Sequence, residues 1–289
     1  MKDFKRTFII GEEWLYYKIY CGSYSADRIL IETISPIVAE LQKRKLIDYW
    51  FFVRYHDPKN HLRLRFHLNK VEVIQEVIQI ITVYFSKLIK EDIAYEINTG
   101  TYKREIERYG NSTIAEAEKM FYYHSKKTIQ VISEMITEND EIVRIFATLK
   151  NINDLLEHFQ ITLVERQKFV TEKSTSLKLE HAISRDNIKN INVLYKKHKS
   201  DIFLILDHNE EPQYLEGLIE ILNTCDEEIN SIKNIQAKIK KNKAVVPLNL
   251  INSFIHMNVN RLFRSKQKQY EMLCYDFMNK YYKTLIAKK

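Results

Sequence analysis

The chain has 289 residues, of which 45% are hydrophobic and 12% aromatic, and its net charge is +7. This length and apolar content are sufficient for a sizeable core in one large domain or two small ones. Only five glycines and four prolines are present, which predicts long regular elements and excludes a low-complexity or disordered chain. The mild basicity permits an acidic peptide or nucleic acid as a partner, but does not require one.

The cysteines and the hydropathy pattern bear on the cellular compartment in which the protein is expected to reside. Cys21, Cys225 and Cys274 are odd in number and widely spaced, which argues against a disulfide framework and indicates a reducing cytoplasm. No apolar run reaches the roughly 20 residues that a membrane helix needs. Glu12 and Glu13 interrupt the apolar stretch near the N-terminus. We therefore expect a cytoplasmic protein without a signal peptide and without membrane contact.

The first third of the chain mixes strand and helix patterns. Residues 14–21 are predicted to form a central strand, and residues 25–45 an amphipathic helix. A β-hairpin is predicted over 49–68, a second helix over 71–90, and further strand character over 92–108. This order predicts an α+β fold, with an N-terminal mixed sheet that contains the hairpin and is covered by packing helices.

The C-terminal two-thirds are predicted to be largely helical. Residues 113–235 are almost continuously helical in pattern, and a last helix begins at Pro247. The polar, weakly patterned stretch 171–186 is the best choice for an exposed loop. No linker marks a domain boundary, so a single domain over 1–289 is predicted.

The returning strand of the hairpin carries a row of cations. Residues 61–68 alternate, so that one face is apolar and the other holds His61, Arg63, Arg65 and His67. Arg54 on the partner strand is expected to add a third guanidinium. Arginine binds carboxylates and oxyanions with forked geometry. A solvated outer face is the alternative, although no acidic residue is interleaved in 59–70.

The last helix carries a polar stripe on an apolar background. Asn252, His256 and Asn260 are each four residues apart, so they share one helix face. One interpretation is a set of satisfied polar groups in the core. The other is a histidine held beside a pocket, where it can transfer a proton near neutral pH.

The stretch TYKREIERYG is a third signal. Arg104 and Arg108 would share one face of an extended strand, and such mixed charges are usually solvated. Gly110 permits a sharp turn that would leave Arg108 and Tyr109 at the end of the strand, where ligand contacts are common.

Together these stretches resemble a known family. WLYYKIYCG, FFVRYHDPKNHLRLRFHL, TYKREIERYG and SFIHMNVNRLF, in this order, resemble the elimination domain of class I lantibiotic dehydratases. They are also similar to stand-alone thiopeptide-type bacteriocin biosynthesis proteins, which consist of that domain. The resemblance covers roughly 14 to 285. Because it begins at Trp14, a separate protein would use glutamyl-tRNA to esterify Ser or Thr of a precursor peptide.

The resemblance implies β-elimination of glutamate from those esters, giving dehydroalanine or dehydrobutyrine. It assigns catalytic importance to Arg63, Arg65, Arg108 and His256, with His256 either transferring the proton or polarising the ester. It leaves open whether Arg104 or Arg108 is the matching arginine. The family usually has a second glycine after Arg-Tyr-Gly, where this chain has Asn111.

The remaining expectations concern ligands and partners. We expect five residues to bind substrate, namely Arg54, His61, Tyr109, Asn260 and Arg261. Elimination needs no cofactor, and no metal site is expected, since the hairpin histidines His56 and His61 lack a third ligand. The expected partners are the leader and glutamylated core of a precursor peptide, a separate tRNA-dependent glutamylation protein and a second copy of the chain, but no nucleic acid directly.

Two other functions fit the same stretches. One is the pyridine-forming cycloaddition of thiopeptide maturation, in which two dehydroalanines are joined and the leader is expelled; retention of the arginines and histidine favours elimination over it. The other is a non-catalytic module that binds a leader peptide or tRNA through its basic surface, and whose binding would fall steeply with salt. In each case a leader could add a strand to a free sheet edge.

Overall fold

The computed structural model describes residues 5–135, 141–241 and 246–288. The chain divides into two compact units. The first comprises Met1–Ser133 and Lys233–Val245, and the second Glu134–Ile232 and Val246–Lys289. The predicted single domain over 1–289 remains a prediction.

The first unit is built around a four-stranded sheet. The strands of this unit are β1 (Thr7–Phe8), β2 (Trp14–Cys21), β3 (Ile47–His56), β4 (Asn60–Leu68), β5 (Ala94–Thr99) and β6 (Tyr102–Lys103). The sheet has the order β3-β4-β2-β5, and β1 pairs separately with β6. The predicted α+β class and the interior position of residues 14–21 are confirmed. The predicted mixed sheet is wrong, because every neighbouring pair of strands is antiparallel.

Helices pack around this sheet in the first unit. They are α1 (Ser25–Ile29), which continues through a π-helical turn into α2 (Ser35–Lys43), then α3 (Ile74–Lys90), α4 (Ile106–Tyr109) and α5 (Ile114–Gln130). The buried stripe of α3 includes Phe85, whose ring meets Tyr17 of β2 edge-on at 5.1 Å. The predicted helices over 25–45 and 71–90 are confirmed. Apolar residues at helical spacing form a stripe along one side of a helix, and such a stripe is stabilised when it packs against other apolar residues.

The hairpin register decides which side chains share a face. His56 lies opposite Asn60 across a turn that contains a cis Asp57–Pro58 bond. Side chains directly opposite one another point to the same side. Leu62, Leu64 and Phe66 therefore point into the buried core. We call the other side the arginine face; it includes His61, Arg63, Arg65 and His67 of β4, Trp14, Tyr16, Lys18 and Tyr20 of β2, and Phe51, Val53 and Tyr55 of β3.

The segment after β5 differs from the predicted strand over 92–108. Only Ala94–Thr99 and Tyr102–Lys103 are extended, and Ile106–Tyr109 is a short helix. Arg104 and Arg108 consequently do not share a strand face. The helix ends at Gly110, whose φ of +78° is in the region that favours glycine.

The second unit is helical. Its elements are α6 (Glu141–His158), α7 (Leu163–Glu180), α8 (Arg185–Lys197), α9 (Lys199–Phe203) and α10 (Leu218–Leu222); α11 (Asp226–Lys241) crosses the unit boundary, and α12 (Pro247–Leu262) and α13 (Gln267–Ala287) complete it. The predicted helical C-terminal part is confirmed. Across residues 5–135, 141–241 and 246–288, no helix has the length and apolar character required to cross a membrane.

The predicted exposed loop over 171–186 is wrong. Thr162 and Glu165 form a reciprocal capping box that starts α7, which runs to Glu180. Only a few residues then separate it from α8, which Ser184 caps by accepting a hydrogen bond from the Asn187 amide at 3.2 Å.

Candidate functional site

Arg63 and Arg65 lie two residues apart on the arginine face, as predicted. Both side chains are half-buried. Within the described part of the chain, no carboxylate lies within the 4.0 Å of an ion pair from either guanidinium. Removing a charge from water without a counter-ion is costly, and the cost grows with burial. The two guanidinium groups are thus available to an anion.

Aromatic rings surround Arg65. Its Cζ lies 4.4 Å from the ring centroid of Tyr16, 4.9 Å from that of Tyr102 and 5.2 Å from that of Phe51. Its Nε is buried and has no hydrogen-bond partner among the described residues. Burial lowers the pKa of Arg65, and the neighbouring tyrosines partly oppose this. The group remains a cation, since free arginine titrates far above neutral pH.

Arg63 is oriented by His61. Its Nε–H donates to Nε2 of His61 at 3.1 Å, and its Cζ lies 3.3 Å from the ring centroid of Tyr55. The remaining guanidinium nitrogens of Arg63 are the ones that could bind a ligand, because Nε is engaged within the protein.

His61 is locked in one neutral tautomer. Its Nδ1–H donates to the Lys59 carbonyl at 2.9 Å, and its Nε2 must be unprotonated to accept from Arg63. The ring is 3% exposed and lies between those of Tyr20 and Tyr55, with centroids at 4.7 and 5.4 Å. Burial lowers the pKa of His61. His61 therefore contacts Arg63, and its predicted contact with substrate stays a prediction.

Arg104 and Arg108 have different surroundings. Arg104 is buried and donates from Nε and Nη2 to the carboxylate of Glu118, at 2.7 and 2.6 Å. The Arg108 side chain is 44% exposed and pairs with Glu105 at 3.2 Å. The charge of Glu105 also raises the pKa of Arg65. Arg104 is bound within the structure, which leaves Arg108 as the arginine that a ligand can reach.

Two predicted substrate-binding residues of the first unit are placed elsewhere. Arg54 lies opposite Leu62, so it points away from the arginine face, and it is buried in an ion pair with Asp27. Its predicted place in the cationic row is wrong. Tyr109 is also buried, with its ring edge-on to Phe121 at 4.9 Å. Its predicted position at an open strand end is wrong, because the segment is helical.

In the second unit, His256 is paired with a buried carboxylate. Its Nδ1–H donates to Oε2 of Glu271 on α13 at 2.8 Å; Glu271 is 5% exposed, whereas the His256 side chain is 35% exposed. One turn earlier, Asn252 Oδ1 accepts from the Tyr275 hydroxyl at 3.0 Å. The carboxylate fixes the histidine tautomer and leaves Nε2 as the nitrogen available for proton transfer.

The other two predicted residues of α12, Asn260 and Arg261, differ in burial. Asn260 is half-buried, and its predicted contact with substrate stays a prediction. Arg261 has 0% exposure and donates from Nη1 to the Met257 carbonyl at 3.0 Å. Its predicted contact with substrate also stays a prediction.

Comparison with known sequences places this fold in a family. The sequence model of the family described as lantibiotic biosynthesis dehydratase C-term matches residues 14–282. The chain belongs to this family. The match runs through both compact units.

Curated relatives of this dehydratase family are much longer than the chain. It is 27% identical over 255 residues to the subtilin biosynthesis protein SpaB of Bacillus subtilis, covering 87% of this chain and 24% of the relative. It is 25% identical over 286 residues to the nisin biosynthesis protein NisB of Lactococcus lactis subsp. lactis, covering 94% and 26%. The chain spans about a quarter of the length of these relatives.

Solved structures show the same fold at low identity. The tRNA-dependent lantibiotic dehydratase MibB of Microbispora sp. 107891 matches with a TM-score of 0.70 and 16% identity, over 94% of this chain and 28% of MibB. The pyridine synthase TbtD from thiomuracin biosynthesis matches with a TM-score of 0.63 and 10% identity, over 94% of this chain and 100% of TbtD. At such identities the likeness concerns the fold alone.

Sequence reasoning missed two residues beside the predicted site of this dehydratase-family chain. Lys18 is the only charged residue in the strand WLYYKIYC, and that isolation was a usable signal. Glu271 gave no signal of its own, because its contact with His256 depends on how α12 and α13 pack.

Proposed function

We propose that the protein eliminates glutamate from glutamylated Ser or Thr residues of a ribosomally made precursor peptide, as a carbon–oxygen lyase. Membership of the lantibiotic dehydratase C-terminal family supports a role in peptide dehydration. The main support for glutamate elimination is a pair of half-buried arginines, Arg63 and Arg65. Neither has a carboxylate partner among the described residues. Such a pair suits a reaction in which anions form and depart.

The reaction needs a base and anion stabilisation. A base takes the Cα proton of the esterified residue, and the electron pair of the Cα–H bond becomes the Cα=Cβ double bond. The Cβ–O bond breaks, glutamate leaves as a carboxylate, and the proton stays on the base. Negative charge develops on the adjacent carbonyl oxygen before the double bond is complete. Fixed cations around that oxygen lower the barrier most when water is excluded.

The arginine face supports this chemistry. Arg65 is held among three aromatic rings with a buried, unbonded Nε, and Arg63 is oriented through His61. A charge fixed in advance needs no reorganisation when the oxyanion forms. We assign Arg65 to the developing oxyanion and Arg63 to the departing glutamate, with Arg108 as a further contact to the substrate.

His256 is the proposed proton-transfer residue. The Glu271 carboxylate accepts from Nδ1, so Nε2 can take a proton while the carboxylate stabilises the imidazolium. The role of His256 in this proposal rests on the family resemblance, which assigns it catalytic importance.

Mass spectrometry of a synthetic peptide with one glutamyl-serine ester, incubated with the protein alone, tests the proposal. We expect loss of glutamic acid and formation of dehydroalanine. Arg65→Ala and His256→Ala should lower the rate by roughly a hundredfold or more, as expected for an oxyanion donor or a general base. The exposed Arg185→Ala is the matched control for charge removal. An ester that the wild-type protein leaves intact would refute the proposal.

A second function is favoured by the likeness to the pyridine synthase, whose whole length this fold covers. A peptide with two preformed dehydroalanines tests it. Loss of water and of the leader from that peptide, with an unchanged glutamyl ester, would assign cycloaddition. If neither peptide changes, leader binding at increasing salt tests the non-catalytic alternative.

The proposed reaction also implies partners. A tRNA-dependent glutamylation activity would supply the glutamyl ester, a step for which the tRNA dependence in the name of MibB is the precedent. The precursor peptide, with leader and core, would be the substrate, and cytoplasmic location would give access to glutamyl-tRNA.

A further inference from the structure

Lys18 is a cation on the arginine face to which the family resemblance assigns no role. It is half-buried in β2, directly opposite Arg63 of β4 on one side and Asn98 of β5 on the other. Burial is the main cause of the lowered pKa of His61, and the positive charges of Arg63 and Lys18 lower it further. Lys18 thus belongs to the same group of side chains as Arg63.

This arrangement is unfavourable without a ligand. Like charges directly opposite one another in a sheet destabilise it. In the described ranges neither Lys18 nor Arg63 has a carboxylate partner. The nearby acidic residues have their own contacts, since Glu96 accepts from Asn98 at 2.7 Å and Glu105 pairs with Arg108. An anion from outside would relieve the repulsion.

The spacing provides two positions for negative charge. Arg63 and Arg65 are two residues apart on a strand, which separates their Cα atoms by roughly 7 Å. Lys18 lies at the Arg63 end only, because its opposite residue is Arg63 and that of Tyr16 is Arg65. The Arg63 end therefore has two cations, while the Arg65 end has one cation and aromatic rings.

We propose that Lys18 and Arg63 bind the free side-chain carboxylate of the glutamyl group, leaving Arg65 to the reacting ester. This inference rests on the proposed function and adds the residue that distinguishes a glutamyl from a neutral acyl group. A lysine is a point charge with three donors, which suits a carboxylate that also meets an arginine fork.

Calorimetric titration with L-glutamate and L-glutamine, which differ in side-chain charge, tests the assignment without relying on turnover. We expect the wild-type protein to prefer glutamate. Lys18→Met should weaken glutamate binding about tenfold or more, the usual effect of losing a charge-assisted hydrogen bond. Glutamine binding should hardly change. Lys18→Arg should retain the preference, and the exposed Lys70→Met is the matched control.

Ester substrates provide the second measurement. We expect the wild-type protein to prefer a glutamyl-serine over a glutaminyl-serine peptide in kcat/KM, and Lys18→Met to lose that preference. Equal weakening of glutamate and glutamine by Lys18→Met would overturn the assignment to the side-chain carboxylate. So would a wild-type protein with no preference in either assay. Failure of elimination alone, with glutamate preference intact and dependent on Lys18, would refute the proposed function and leave the binding site standing.

Discussion

The two ring nitrogens of the buried His61 make different hydrogen bonds. Nδ1–H donates to the Lys59 carbonyl, and Nε2 accepts from Arg63. A protonated ring would present a donor to the Arg63 Nε–H, so protonation and the present geometry are incompatible. Lys18 and Arg63 face the ring with positive charge, Asp57 with negative charge, and the rings of Tyr20 and Tyr55 cover it. Burial is the largest cause of the lowered pKa.

This predicts a pH dependence of stability. The folded pKa of His61 lies below the ordinary 6.5, so below 6.5 the unfolded chain binds more protons than the folded one. The free energy of unfolding should therefore fall as pH falls below 6.5, until the folded pKa is reached. His61→Gln keeps an acceptor for Arg63 and a donor for the Lys59 carbonyl but does not titrate. We expect a shallower slope from about pH 7 to about pH 5 in urea unfolding of this variant.

The exposed His56 of the same hairpin is the matched control for that experiment. If His56→Gln and His61→Gln alter the slope equally, the effect does not arise from the buried ring. An unchanged slope in His61→Gln would contradict the neutral tautomer directly.

Gly100 supports Arg65 through Tyr16. A Cβ on Gly100 would lie 2.8 Å from Cε1 and 2.9 Å from Cδ1 of the Tyr16 ring, so the ring would have to move, and this ring lies 4.4 Å from Arg65. We expect Gly100→Ala to lower the free energy of unfolding by about 1–3 kcal/mol, measured by chemical denaturation. Gly22→Ala is the control, since its Cβ would meet only Ser25 Oγ at 3.4 Å. Equal effects of the two substitutions would disprove the close approach.

At the residue scale, alternation alone predicted the faces of β4 correctly but misplaced Arg54. The face of Arg54 follows from the register, in which His56 lies opposite Asn60 and hence Arg54 opposite Leu62. That register depends on the length of the turn, and a shift of one residue reverses the faces of the whole strand. Arg104 and Tyr109 were beyond prediction, because their burial depends on Glu118 and Phe121 of α5.

At the scale of elements, α7 shows why the sequence pattern predicts a loop over 171–186 where the structure has a helix up to Glu180. The periodicity of apolar residues is the usual signal for a helix. This helix instead meets α13 partly through polar contacts, with Asn279 Oδ1 accepting from Gln167 Nε2 at 3.2 Å and Thr171 Oγ1 at 2.8 Å. Lys178 further along pairs with Asp276. Such contacts leave no apolar pattern to detect.

The hydrogen bonds between α7 and α13 should contribute to the stability of the fold. Asn279→Ala removes the acceptor that Gln167 and Thr171 share on α13, and we expect it to lower the free energy of unfolding by about 1–2 kcal/mol. Thermal or urea unfolding measures this, with the exposed Asn190→Ala of α8 as control. A variant as stable as the wild-type protein would show that water replaces these contacts at no cost.

The ion pair between Arg104 and Glu118 joins the segment after β6 to α5. Glu118 also accepts from the Tyr102 hydroxyl at 2.7 Å, and its charge contributes to raising the pKa of that hydroxyl, after burial. Glu118→Gln removes the carboxylate charge that pairs with the buried guanidinium, so we expect a loss of about 3–5 kcal/mol in the free energy of unfolding. Glu107→Gln, at an exposed pair with Arg6, is the control and should cost less than about 1 kcal/mol. A small effect of Glu118→Gln would mean that water reaches Arg104.

At the scale of the whole molecule, the same fold occurs in proteins that are named for different reactions. The fold extends over 94% of the chain in proteins with 10–16% identity, one named as a dehydratase and one as a pyridine synthase. An architecture shared by both cannot decide the reaction. The α+β class was predictable because few breakers and clear periodicity determine it, whereas the chemistry depends on single side chains such as Arg65 and Lys18.

The net charge of +7 and the unpaired cations of the arginine face together predict how salt affects the whole protein. Long-range attraction of an acidic peptide is screened beyond the Debye length, about 8 Å at physiological ionic strength. Attraction at the half-buried arginines is screened less. For two glutamylated peptides that differ only in the charge of residues distant from the ester, kcat/KM should fall with salt mainly for the acidic one, while kcat stays constant for both. A fall in kcat with salt would instead mean that the arginines act as solvated surface charges, which contradicts a catalytic role for the arginine face.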